Sequence, residues 1–161
     1  MRRADRQITD VKEISEILQG CKVCHLAMTD QGMPYVVPLN FGYVMEGEIL
    51  TLYFHSAWEG KKTEILRENN AVCFSMCREG ELVKVVNPCQ SGYYYESVIG
   101  FGDIVFVNDI EEKCHALTLL MKHQTGQDFT FNDKQAASVC VYKVATGNFT
   151  GKRKPRPENG Q

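Results

Sequence analysis

"YYYESVIGFGDIVFV", Tyr93 to Val107, is the stretch on which the fold class turns. Aromatic and β-branched residues fill it, so it reads as one long strand, and Gly100 and Gly102 are the places where such a strand can bend. A long bent strand is what closing a sheet into a barrel requires. Downstream, Asp109 and Glu112 form a capping pattern at the start of "DIEEKCHALTLLMKHQTG". This predicts a helix with Ala116, Leu117, Leu120 and Met121 facing inward and Gly126 closing it. "ASVCVYKVA" is a final strand. Upstream, "DVKEISEILQG" predicts a short amphipathic helix with Asp10 at its cap, Glu13 three residues on and Gly20 at its stop. "KVCHLAMT", "YVVPLNFGYV" and "ILTLYFH" then predict a three-strand meander, joined by the turns "DQGMP" and "EGE". Pro38 lies inside the second of these strands, so its missing N–H must face an edge, a bulge or a ligand. "AVCFSMC" adds another strand, with "REGE" as its turn. About six strands, contiguous rather than alternating with helices, together with two or three helices, predict a mainly β protein: a small antiparallel β-barrel with flanking helices.

The chain has 161 residues, enough for one domain with a real core. Residues 1–152 are expected to form that domain, and 153–161, rich in Pro, Gly and charge, a mobile basic tail. The net charge of -2 provides no general attraction to nucleic acid or anionic lipid. No segment approaches the roughly 18 apolar residues that a membrane-spanning helix needs. The N-terminus "MRRADRQITD" lacks an apolar core of the secretory kind, and the seven cysteines are odd in number. A cytoplasmic protein with reduced thiols, without membrane or nucleic-acid partners, is the expectation.

Chemistry is concentrated at "LYFHSAWEGKKTEIL", Leu52 to Leu66, where a strand gives way to a helix. Helix N-termini carry unpaired N–H groups and the positive end of the dipole, so an anion is favoured there. Lys61 and Lys62 add full charges and Ser56 a neutral donor. The alternative is an ordinary solvated first turn, since neither phosphate-loop pattern is matched. His55 ends the strand just before this cradle, whereas His25, His115 and His123 have ordinary places in a strand or on a helix. "CKVCH", Cys21 to His25, has zinc-like spacing, but in a strand Cys21 and Cys24 point to opposite faces and no second pair matches. Buried thiols and no metal are the expectation. Trp58 can stack on a ligand or cover an apolar edge.

Taken in order, "RxDRxI" (Arg3, Asp5, Arg6, Ile8), "PYVVPLNFGY", "LYFHSAxEGKK", "SVIGFG" and the late "TGK" resemble the nitroimidazole-resistance branch of the pyridoxamine 5′-phosphate oxidase-like flavoproteins. The resemblance runs from about Arg2 to Lys152. It implies an FMN-binding split β-barrel and a homodimer with flavins in clefts between protomers. It implies that Val37, Pro38, Leu39, Asn40 and Phe41 run beside the flavin ring. It implies further that His55 and Ser56 hold the ring edge, that Lys61 and Lys62 hold the phosphate, that Ser97 and Val98 line the cleft, and that Lys152 approaches from the C-terminus. The implied activity is electron transfer from NAD(P)H through FMN to a small acceptor, a nitro-aromatic in this branch, with His55 delivering protons.

True pyridoxamine 5′-phosphate oxidases carry a C-terminal Trp and Arg segment. Here Trp58 is the only tryptophan, which speaks against vitamin B6 oxidation. The competing readings are a non-catalytic flavin- or haem-binding barrel, with His25 or His55 as axial ligand, and a small nucleic-acid-binding barrel using the basic tail.

Overall fold

In the computed structural model, which describes residues 3–84 and 87–154, the long strand predicted from Tyr93 begins one residue earlier. It is β7 of nine strands among the described residues. The strands are β1 (Gln7–Ile8), β2 (Cys24–Asp30), β3 (Met33–Leu39), β4 (Gly42–Glu46), β5 (Ile49–Ser56), β6 (Ala71–Val83), β7 (Gly92–Val107), β8 (Cys140–Thr146) and β9 (Phe149–Lys154). Four α-helices accompany them: α1 (Val11–Gly20), α2 (Lys61–Glu68), α3 (Ile110–Thr125) and α4 (Asp133–Ala137).

The sheet order is β3-β2-β6-β7-β8-β5-β4, all antiparallel, with β9 between β7 and β1. β7 belongs to both halves of the barrel. Along one edge it pairs with β6. Along the other it pairs with β9 from Tyr95 to Gly100 and with β8 from Ile104 to Val107. The exchange of partners falls at the glycines singled out from the sequence, and close packing explains them. A Cβ at Gly100 would come 2.2 Å from the Phe74 ring, and one at Gly102 2.6 Å from Val144 Cγ2. The barrel is open between β3 and β4, the two outer strands of the path. Pro38 therefore sits on an edge strand, one of the places open to a residue without an N–H.

Leu26, Phe54, Phe74, Met76, Val98 and Tyr142 fill the barrel, with Ile14, Ile17 and Leu18 of α1 and Ile65 and Leu66 of α2 in the same cluster. A second cluster lies under α3, where Ala116 and Leu117 meet Tyr53, Val107, Ala136 and Val141. Asp10 caps α1, accepting from Lys12 N and Glu13 N, and Asp109 caps α3, accepting from Glu112 N. Gly126 ends α3 in the left-handed conformation. Of the inward positions expected on α3, Met121 is only half-buried, and Lys113 is buried in addition.

Two corrections, together with the two-residue β1, take the strand count above six, and a third turns a predicted turn into a continuous strand. "YVVPLNFGYV" is two strands, because the chain crosses from one edge of the barrel to the other at Asn40 and Phe41. "REGE" is not a turn: β6 continues through it with a register shift between Arg78 and Glu81, a bulge that absorbs one extra residue. Finally, Phe149–Lys154, whose last residues were assigned to the tail, form β9. Arg153 anchors it, donating to Glu13 of α1 at 2.6 Å and to Glu96 of β7 at 2.6 Å. Residues 155–161 lie outside the described residues.

Candidate functional site

The strand-to-helix join is built as the sequence suggested, and its two lysines differ. α2 begins after Gly60, whose φ of +136° favours glycine and which provides no side-chain cap. α1, α3 and α4 each have a capping Asp or Asn, so the first turn of α2 is the one left open. Lys61 turns towards the β2–β3 hairpin. Its Nζ lies 2.9 Å from Asp30 Oδ2 and 4.9 Å from the centre of the Tyr35 ring. A polar pocket of ≈ 290 Å³ beside it is lined by Asp30, Gln31, Lys61, Glu64, Ile65 and Glu68, a set too acidic for a phosphate. The charge of Lys62, unlike that of Lys61, acts on His55 and Cys140 at the ends of β5 and β8. No carboxylate lies within ion-pair distance of Lys62 among the described residues. An uncapped helix start with one uncommitted lysine fits a phosphate group.

His55 and Ser56 close β5, opposite Val141 and Cys140 of β8. Desolvation by neighbouring atoms, and secondarily the charge of Lys62, holds the His55 imidazole below its ordinary value although one edge is open to solvent. Ser56 Oγ donates to Ala57 O at 2.8 Å. Beneath it lies Tyr142, fully buried, stacked on Phe54 at 5.7 Å, with a hydroxyl that makes no hydrogen bond. Burial pushes this phenol far up. An unsatisfied buried hydroxyl costs about 1–3 kcal/mol.

Of the run Val37 to Phe41, Val37 and Leu39 lean on the core and Pro38 faces out. Phe41 is fully buried, its ring 4.6 Å from that of His123. Asn40 has structural partners: its carboxamide donates to Lys22 O at 3.1 Å and to Gln124 Oε1 at 3.0 Å. Gln124 in turn donates to Phe41 O, and His123 Nε2 lies 2.7 Å from Cys21 O. The end of α3 thus clasps both chain segments that meet at the opening of the barrel. Cys21 and Cys24 are buried, their thiols pushed up to about 11 and about 12 by desolvation, which leaves them protonated and unreactive at neutral pH.

Ser97, Val98 and Lys152 are brought together, because Ser97 pairs with Lys152 and Val98 with Gly151. Val98 is fully buried; Ser97 is half-exposed. They stand at the level of Cys77 on β6, whereas Lys61 meets Asp30 at the far end of β2. From the strand rise, the two groups lie roughly 20 Å apart along the sheet. Within one chain the expected residues therefore form two half-sites. The outer face between them is apolar and ordered in rows: Val36–Ala27–Cys73–Phe101, then Pro38–His25–Ser75–Ile99. Val36 is 53% exposed, Phe101 52% and Ile99 44%.

Of the two places the sequence allowed Trp58 the structure takes one, and the pairing of Arg6 with Tyr95 was not legible in advance. Trp58 covers an edge: its Nε1 donates to Ala137 O, and the buried Lys113 ammonium lies 4.6 Å from its ring centre while donating to Val139 O. Arg6 of the N-terminal motif acts on the Tyr95 hydroxyl beside Lys152. Arg6 and Tyr95 are brought together by β-pairing across most of the chain.

Comparison with known proteins follows this geometry. A family model described as pyridoxamine 5′-phosphate oxidase matches residues 10–153. A crystal structure of a putative 5-nitroimidazole antibiotic resistance protein from Bacteroides thetaiotaomicron is 38% identical, with 91% of this chain and 86% of that one covered and a TM-score of 0.79. The FAD and heme binding protein from Mycobacterium smegmatis shares the fold at 19% identity, covering 96% and 77% of the two chains with a TM-score of 0.80. A flavocytochrome from Azotobacter vinelandii does so at 18%, covering 100% and 75%, with a TM-score of 0.79. No curated protein matches the sequence.

Proposed function

The chain belongs to the pyridoxamine 5′-phosphate oxidase family, and from that premise we propose that it is an FMN-dependent oxidoreductase that uses NAD(P)H to reduce nitro-aromatic or other small acceptors. The observation that carries the reading is the uncapped start of α2 with Lys62 uncommitted and His55 and Ser56 beside it. Lys62 and the first N–H groups of α2 would hold the phosphate of FMN, and Ser56 and His55 the edge of its ring. When bound, FMN supplies the hydride and single-electron transfer that side chains cannot perform.

The remaining work falls to this chain. Reduction of a nitro group consumes protons as well as electrons. His55 would stand at the ring edge, and its lowered pKa makes the protonated imidazole a ready donor to a reacting oxygen, with solvent at its exposed side restoring the proton. Lys62 supplies positive charge at the site, favouring a cofactor that gains negative charge on reduction. Phe54, Phe74 and Tyr142 behind β5 keep water out of the barrel.

The two half-sites come together if two copies pair through the apolar rows of the outer face, so the site is proposed to be completed in a homodimer. Phe101→Asp should then yield a monomer that loses flavin at the same time.

The test is direct. Protein purified under native conditions should be yellow, release FMN on denaturation, and oxidise NADH or NADPH anaerobically when given a 5-nitroimidazole. Colourless protein indifferent to added FMN would overturn the reading. A second reading, a non-catalytic haem-binding module, is favoured by His25, exposed among the apolar rows, and by the haem of the two remoter structural relatives. A Soret band after reconstitution with haemin, lost in His25→Ala, would select it.

A further inference from the structure

The interior of the barrel leaves one polar group without a partner. Tyr142 is fully buried, its ring stacked on Phe54 at 5.7 Å and tilted against Phe106 at 5.9 Å, and its hydroxyl makes no hydrogen bond. Among the described residues no other buried side-chain oxygen or nitrogen is in that state. Buried polar groups are normally satisfied, so a hydroxyl kept where phenylalanine would fill the same space calls for a reason.

Register sets this hydroxyl beneath the end of β5. Phe54 lies opposite Tyr142, and Ser56 opposite Cys140, across β5 and β8. All four share the inward face, by the alternation of a strand. Ser56 is thus the diagonal neighbour of Tyr142, a separation that an aromatic side chain spans. Besides burial, the thiols of Cys140 and Cys24 act on the phenol, and thiols are only weak acceptors. Ser56 has its own single proton engaged: Oγ donates to Ala57 O at 2.8 Å, which leaves none for a ligand. Ala57 is exposed, so its carbonyl can accept from water instead.

We propose that Tyr142 is a positioning residue that acts through Ser56. When a ligand acceptor arrives at the end of β5, Ser56 turns about χ1, releases Ala57 O and donates to the ligand, while Tyr142 donates to the Ser56 oxygen. Every member of the chain from Tyr142 through Ser56 to the ligand is then satisfied, and polarisation along it strengthens Ser56 as a donor. The phenol never touches the ligand. The inference deepens the FMN reading and rests on it for the ligand, a planar heterocycle whose ring edge carries nitrogen or carbonyl acceptors.

The experiment compares full-length wild type, Tyr142→Phe, Ser56→Ala and the double variant, each freed of flavin. Urea unfolding is measured without ligand, and FMN affinity by quenching of flavin fluorescence. Tyr142→Phe removes a hydroxyl that is unpartnered in the free chain, so its urea midpoint should equal or exceed that of wild type. The same substitution should raise the Kd for FMN roughly three- to tenfold, the scale of one neutral hydrogen bond. A merely structural hydroxyl cannot produce that opposition, because its loss lowers stability. The double variant should bind like Ser56→Ala, since without Ser56 the phenol has no route to the ligand.

A lower urea midpoint in Tyr142→Phe overturns the proposal, because the hydroxyl then has a partner, such as an ordered water, in the free chain. So does a Kd left unchanged by Tyr142→Phe, or losses that add in the double variant. Wild type that takes up no FMN defeats the oxidoreductase reading and this inference with it. Wild type that binds FMN, with Tyr142→Phe binding as tightly, defeats this inference alone.

Discussion

Lys61 and Lys62 are adjacent in sequence and chemically alike, yet the structure gives them unequal weight in holding a flavin phosphate. Lys61 is already balanced by Asp30 at 2.9 Å, and its side chain is 58% exposed. Lys62 is half-buried and uncommitted, with its charge directed at the end of β5. Removing Lys62 deletes a charge-assisted contact worth about 1.5–3 kcal/mol, or roughly 10- to 150-fold in the Kd for FMN. Removing Lys61 deletes a cation whose field is largely cancelled at that distance, and Kd should rise by less than about threefold. The assay is quenching of flavin fluorescence on titrating protein freed of flavin with FMN, near physiological ionic strength, for Lys61→Ala, Lys62→Ala and the double variant. The double variant should match Lys62→Ala within error. If Lys61→Ala weakens binding as much as Lys62→Ala, the Lys61–Asp30 pair must break on binding, and the reasoning from the ligand-free arrangement is wrong.

The remaining predictions follow from the same contacts. In Lys62→Ala the His55 midpoint, followed by NMR of the imidazole, should rise but stay below the ordinary value, because desolvation, the larger cause, persists. Acid should destabilise the fold through His123, whose imidazole is lowered by burial despite the Cys21 carbonyl. The unfolded chain then binds more protons than the folded one from about pH 6.5 downward, so stability is full above that value and lost as pH falls through the folded pKa. Urea midpoints at pH 7.5 and 5.5 should differ in the wild type and differ less in His123→Gln, with His55, lowered in the same direction, contributing to the remainder. Gly42→Ala should cost about 3 kcal/mol in urea unfolding, because its Cβ would come 2.5 Å from Leu120 N and a helix backbone cannot yield as a side chain does.

Much of the fold was legible because local chemistry and tertiary packing agree. Asp10 and Asp109 cap the helices whose starts they mark in the sequence, and Gly126 ends α3. Gly100 and Gly102 mark where β7 changes partners. Misreadings arose where distant residues decide. Nothing local in "NF" announces a crossing between barrel edges, since Asn40 is held there by Lys22 and by Gln124, far along the chain. Nothing in "REGE" distinguishes a turn from a bulge without the partner strand β7. The end of the chain read as solvated until Glu13 and Glu96 were seen to claim Arg153.

By itself the sequence determined the kind of protein: a bent, aromatic-rich strand that needs a closed sheet, and a small-residue join with two lysines that can receive an anion. Those are properties of near neighbours, for which periodicity, capping and charge suffice. Tertiary structure alone decided which lysine remains uncommitted, why Asn40 is polar, and that the expected residues form two half-sites roughly 20 Å apart in one chain. β-pairing joins positions such as Gln7 and Lys152, and no local pattern encodes which strand will lie beside which.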